Sequence, residues 1–197
     1  MTRPIVWMFV ALLLIAAGLG FYAYHLKAKV ASEEQRLAQQ SQAIVPPASG
    51  PTSLVTLYVA SDQDGGLRRS QINVALPQER SERARAILPA LLGAYMQPGS
   101  QHPIGAGSDV RDVFLMGSDT AVIDTNAAFA DAHPSGVLAE ELTIASMVTT
   151  LNASDPSITR VKILVDGKER DTLAGHADLR RFFQASGIGQ QVLKDSQ

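Results

Sequence analysis

Ile5 to Tyr24 is a run of twenty residues without a charge, and only Gly18 and Gly20 within it fall outside the apolar set. At 1.5 Å per residue a helix of that length spans roughly 30 Å, the thickness of a bilayer's hydrocarbon core. Trp7 stands near one end and Phe21, Tyr22 and Tyr24 at the other, where amphipathic rings favour the headgroup region. Residues 1–25 therefore predict a transmembrane signal-anchor helix, with residues 5–24 in the lipid bilayer. A cleaved signal peptide fits less well, because the run exceeds the usual length of roughly 7 to 15 apolar residues. Bulky aromatics also stand where the peptidase needs small side chains. The chain has no cysteine, which excludes lipoprotein processing, a disulfide framework and a Cys-based zinc site.

Charge divides unevenly behind this run. Residues 1 to 51 hold four basic and two acidic side chains, whereas residues 52 to 197 hold thirteen and seventeen. A mildly acidic body argues against nucleic acid or any polyanion held by bulk charge. Lys27, Lys29 and Arg36 follow the apolar run and only Arg3 precedes it, so a count of basic residues favours a cytoplasmic body. From Lys27 to Gln42 large apolar residues are too sparse for a buried stripe, and Pro46, Pro47 and Pro51 stop any helix. Residues 26–52 read as a flexible stalk and linker.

The body, 53–183, alternates two periods. Leu54 to Ala60 is a β-branched and aromatic strand, Asp64-Gly65-Gly66 a turn, and Ser70 to Leu76 a half-buried strand, together predicting a hairpin. From Ser81, read as an N-cap, the period becomes helical through Ala84, Ile87, Leu88, Leu91, Leu92 and Tyr95, with Pro89 predicting a kink. Val113–Met116 and Ala121–Ile123 flank Gly117-Ser118-Asp119 as a second hairpin. A second helix is predicted over about 136–151, capped by Ser135, with Leu138, Leu142, Ile144, Ala145, Val148 and Leu151 facing inward. Val161, Ile163 and Val165 form a strand, and Asp166-Gly167 suits a type I′ turn. The expected fold class is α+β: five to six short strands in one sheet, two helices packed on one face, and a polar tail over 184–197.

Several segments of the body, taken in order, carry a pattern. They are Ala84-Arg85-Ala86-Ile87-Leu88 with Leu91-Leu92-Gly93, Asp109-Val110-Arg111-Asp112-Val113-Phe114-Leu115, and Thr120-Ala121-Val122-Ile123-Asp124. Met147-Val148-Thr149-Thr150-Leu151, Val161 to Lys168, and Leu173-Ala174-Gly175-His176-Ala177-Asp178-Leu179 follow. Together they make the body resemble the GerMN domain of sporulation and germination proteins, from whose usual pattern the chain departs at Pro89, over Asn152 to Pro156, and at Phe182-Phe183. The resemblance implies an extracytoplasmic envelope module on an anchor, with a fold similar to ring-building domains of secretion and sporulation assemblies. It implies no catalytic set. It also outweighs the count of basic residues, so the expected protein is single-pass in the inner membrane, with its C-terminal domain outside the cytoplasm.

The residues themselves offer little chemistry. His102, His133 and His176 are scattered over three loops without zinc-ligand spacing and read as surface histidines. Neither Gly105-Ala106-Gly107-Ser108 nor Gly117-Ser118 makes a nucleophile elbow. Asp109 with Asp112, and Asp124 with Asp131, read as capping and turn residues. No enzyme, metal or cofactor is expected. His176, Arg180 and Arg181, beside Phe182 and Phe183, are the candidate partner-binding residues, for an envelope protein, peptidoglycan or a second copy of the chain. The alternative function is an envelope hydrolase acting on peptidoglycan.

Overall fold

A computed structural model describes residues 50–187. The predicted anchor, most of the predicted stalk and the end of the tail lie outside these residues. Among the described residues, no helix is long and apolar enough to cross a membrane.

Strands β1 (Thr52–Ser61) and β2 (Gly66–Ala75) form the predicted antiparallel hairpin, Thr52 opposite Ala75 and Ser61 opposite Gly66. Helix α1 (Arg80–Tyr95) follows. Its cap is Glu79 and not Ser81: the Glu79 carboxylate accepts from the amides of Ser81 (3.1 Å) and Glu82 (2.8 Å). Those bonds, led by one from the Ser81 hydroxyl, hold the carboxyl down at about 2. Pro89 lies inside this one continuous helix.

Strands β3 (Val110–Met116) and β4 (Thr120–Thr125) make the second predicted hairpin. A short helix α2 (Ala127–Asp131) follows, which the sequence reading did not place. Asn126 starts it, accepting from the Phe129 amide at 3.0 Å while its own amide group donates to the Gly107 carbonyl. Helix α3 runs from Val137 to Ser154, and its cap residue is Gly136, without a side-chain bond, in place of the expected Ser135. Strand β5 (Arg160–Val165) then pairs parallel to β4, and the two-residue β6 (Phe183–Gln184) pairs antiparallel to β5. Asp166 (φ 50°) and Gly167 (φ 71°) make the predicted turn, but it closes on the single bridge Val165–Lys168 rather than on a new strand.

The class is α+β, yet the described strands form two sheets instead of one: β1-β2, and β3-β4-β5-β6. Two amides of β1 are satisfied by helical side chains. The Tyr58 amide donates to Thr150 Oγ1 and the Ala60 amide to the Tyr95 hydroxyl, each at 2.9 Å. A strand whose amides are already bonded gains little from another strand. In β3, the carboxylates of Asp109 and Asp112 accept from the amides of Val110 and Val113 at 2.8 Å, so those two amides already have partners.

One contiguous core joins both sheets through the helices. It contains Val55 and Leu57 of β1, Ile87, Leu88, Leu91 and Leu92 of α1, and Val113, Ile123 and Ile163 of the larger sheet. Leu142, Met147 and Leu151 of α3 complete it. Burial of each such side chain stabilises by roughly 1.5–3 kcal/mol. Phe114 and Met116 lie on the other face of β3 and stay more than half exposed. Leu138, assigned inward by the sequence pattern, is 50% exposed.

Candidate functional site

Glu140, Thr143, Ser146 and Thr150 are spaced by three, three and four residues, which puts them on one stripe of α3. All four are fully buried. Polar groups there must be hydrogen-bonded, and each is bonded to a different part of the fold. Thr150 takes the edge amide of β1. Ser146 Oγ accepts from the Tyr95 hydroxyl at 2.6 Å and donates to the Thr143 carbonyl. Burial pushes the Tyr95 phenol up to about 12, so it stays a donor. This seam ties β1, α1 and three loops to one helix. Helical spacing was its only trace in the sequence, and polar residues at that spacing ordinarily mark a solvated face.

At the N-terminal end of the seam, Glu140 Oε2 accepts from the amides of Ala174 (3.0 Å), His176 (2.9 Å) and Ala177 (2.8 Å). Its Oε1 accepts from the Gly136 amide at 3.2 Å and from His176 Nδ1 at 2.8 Å. Gly175, at φ 120°, lets the loop present its amides to the carboxylate. Burial alone would raise this carboxyl, but the Ala177 amide, the His176 ring and the amides of Ala174 and His176 outweigh it and hold it at about 2. His176, a predicted binding residue, thus has one ring nitrogen committed to Glu140.

One turn further, Thr143 Oγ1 lies 2.6 Å from His102 Nε2 and 2.7 Å from His133 Nε2. The two rings, expected at the surface, are 1% and 6% exposed. They are buried because α3 offers a hydroxyl that two loops can share. His102 Nδ1 meets Asp62 Oδ1 at 2.6 Å, and His133 Nδ1 meets the Pro134 carbonyl at 2.8 Å. Burial, reinforced by nearby His102, pushes the His133 ring below its ordinary range.

Asp62, His102 and Thr143 stand in the order of a carboxylate–imidazole–hydroxyl nucleophile set. The hydroxyl is fully buried. Thr143 Oγ1 has one hydrogen and two lone pairs, shared among three neighbours: the two rings and, further off at 3.1 Å, the Ala139 carbonyl. Among the described residues no group of three or more His, Asp or Glu is placed to hold a metal.

The other predicted binding residues are divided by the fold. Arg180 Nε lies 3.0 Å from Asp178 Oδ1 and 4.0 Å from Asp171, and the bond from Asp178 raises its already high pKa. Arg181 stacks on the buried Phe183 ring at 4.9 Å. Phe182 is exposed and carries Arg160 at 4.6 Å and Lys162 at 5.9 Å, neither of which the sequence reading had chosen. Lys162 is committed to the Arg180 carbonyl (2.7 Å) and to Glu169 (2.8 Å). Arg160 Nε is buried without a hydrogen-bond partner among the described residues.

The Germane family model, described as sporulation and spore germination, matches residues 56–171. The chain belongs to the Germane family. The match runs from β1 past β5 and takes in the whole α3 seam with His102 and His133, whereas His176, Arg180 and Arg181 of this Germane domain lie beyond it. No curated protein matches the sequence. Similar solved structures include three at 19–21% identity. One is a candidate lipoprotein from Clostridium perfringens, at 21% identity and TM-score 0.43, covering 71% of this chain and 91% of that one. The tandem GerMN domains of the sporulation protein GerM from Bacillus subtilis give 21% and 0.49, covering 66% and 44%. The first GerMN domain of the same protein gives 19% and 0.46, covering 65% and 93%.

Proposed function

We propose that this protein is a membrane-anchored, extracytoplasmic Germane-domain module that binds or assembles with another component of the cell envelope and performs no catalysis. The observation that carries the reading is the family match over 56–171, preceded by an uncharged apolar run at residues 5–24. The absence of cysteine supports the helix itself as the anchor, since no lipid can be attached through a thiol. A signal-anchor at 1–25 and a stalk at 26–52 would hold the domain off the bilayer. Its seam is saturated with internal hydrogen bonds, which favours a surface contact over a catalytic pocket.

The surface best suited to contact is the exposed Phe182 with Arg160 beside it and Arg181 next in sequence. Arg180 and His176 are held by Asp178 and Glu140, and two β3 amides are taken by Asp109 and Asp112. The ligand would be peptidoglycan, an envelope protein or a second copy. The full chain fused at its C-terminus to alkaline phosphatase should be active in an inner membrane. Cosedimentation with isolated sacculi, or self-association in detergent, should then weaken in Phe182→Ala/Arg181→Ala. An inactive fusion beside an active cytoplasmic reporter would overturn the orientation. Unchanged binding in the double variant would overturn the surface, and an inert monomer the binding role.

A further inference from the structure

The seam holds a continuous chain of hydrogen bonds whose proton count is fixed by its ends. Asp62 Oδ1 faces His102 Nδ1, His102 Nε2 faces Thr143 Oγ1, the same oxygen faces His133 Nε2, and His133 Nδ1 faces the Pro134 carbonyl. The four distances are 2.6, 2.6, 2.7 and 2.8 Å. Both ends are acceptors, a carboxylate and a peptide carbonyl, so both Nδ1 atoms must carry hydrogen. Between the two Nε2 atoms stands one hydroxyl, whose single hydrogen can serve at most one of them, the Ala139 carbonyl at 3.1 Å being a more distant competitor for it. With both rings neutral, one nitrogen lone pair would press against an oxygen lone pair at hydrogen-bond distance. The geometry therefore requires at least one proton more than two neutral imidazoles supply, and one suffices when the Thr143 hydrogen turns to the nearer His133 Nε2.

Its location follows from the neighbours. His102 has the Asp62 carboxylate in direct contact, and Asp62 is partly open to water. His133 contacts only neutral groups: the Pro134 carbonyl, the Thr143 hydroxyl and the edge of Phe129 at 6.1 Å. The charged and titratable groups facing His133 are His102 at 6.3 Å between ring centroids, Asp62 beyond it, and Glu140 of α3. Glu140 is occupied by the 174–177 loop, and Asp131, two residues before the ring, by Arg170.

We propose that this network is a one-proton latch, in which a His102 imidazolium paired to Asp62 and a neutral His133 together pin two loops to α3, and a second proton on His133 releases them. That second proton would turn the Thr143 hydroxyl away from His133 and place two cationic rings in one buried site with one directly paired carboxylate. The sign follows. His133 in an opened loop takes up a proton near its ordinary 6.5, while the latched ring resists it. Acid therefore favours the open state, beginning as the pH falls below about 6.5. A domain held outside the cytoplasm would meet such changes, but the latch stands whatever the partner proves to be.

Ring nitrogen NMR on the full chain in detergent, with 15N-labelled histidine, tests this directly. At pH 7 His102 should show both nitrogens protonated, and His133 a protonated Nδ1 beside a bare Nε2. Between pH 7 and 5, amide exchange over 101–104 and 132–136, corrected for its intrinsic rate, should accelerate about tenfold. His133→Gln, which cannot titrate, should abolish that acceleration. If the variant does not fold, the ring spectra of the unaltered chain still decide. Two neutral rings at pH 7, a protonated His133 Nε2 at pH 7, or equal acceleration in the variant would overturn the proposal.

Discussion

Replacing Glu140 by glutamine changes one atom's chemistry and almost none of its volume. In the native fold one carboxylate oxygen accepts from three backbone amides, and the other from the Gly136 amide and the His176 ring. Glutamine can accept at only one of those positions, and its –NH2 end must then face donors. The side chain is fully buried, so solvent offers little compensation. A carboxyl held at about 2 against an ordinary 4.5 stores ~3 kcal/mol of preference for the charged form. We therefore expect Glu140→Gln to cost about 3 kcal/mol at pH 7, a drop in Tm on the order of 10 °C for a domain of this size.

The pH dependence is the sharper test. Because the folded value lies below the unfolded one, this contribution is fully present above about 4.5 and is lost as the pH falls toward 2. Asp155 and Asp178 are also held down, by their hydrogen bonds, so the native curve falls in acid for several reasons. Only the difference between native and variant isolates Glu140. Urea unfolding of residues 48–197, followed by circular dichroism at steps from pH 7 to pH 2, should show that difference shrinking toward zero. A difference that stays flat with pH, or one below about 1 kcal/mol at pH 7, would refute the reasoning.

Tyr95→Phe should cost about 1–3 kcal/mol in the same unfolding assay, since it leaves the buried Ala60 amide and Ser146 hydroxyl without their shared partner. Leu142→Ala should cost roughly 2–5 kcal/mol, whereas Leu138→Ala, half-exposed on the same helix, should stay within about 0.5 kcal/mol. Equal losses for the two leucines would mean that α3 packs in a different rotation.

Much of the fold was legible before any coordinates. β-branched, aromatic and apolar runs around Gly-containing turns marked both hairpins, and the apolar set Ala84 to Tyr95 marked α1 with every member buried. These patterns work because an apolar residue has one favourable environment, so its spacing reports the geometry of the surface that covers it. Helix α3 resisted the same logic. It is buried on so many sides that its apolar residues define no single face, and Leu138 could be assigned inward while Glu140 went unnoticed. Among the binding candidates, Arg180 and His176 proved engaged by carboxylates that lie, in the one case, two residues away and, in the other, thirty-six. Only the nearer could have been suspected from the sequence.

The sequence by itself determined the apolar run, the order of the strands and the two long helices, the loss of any thiol chemistry and the Germane family. Those are properties of composition and local period. Tertiary structure alone decided that there are two sheets, that α3 carries a polar seam, and that His102 and His133 share one hydroxyl forty-one and ten residues away in sequence. A polar side chain has two favourable environments, water or a buried partner. Which one it occupies depends on residues that the fold, and not the chain, brings beside it.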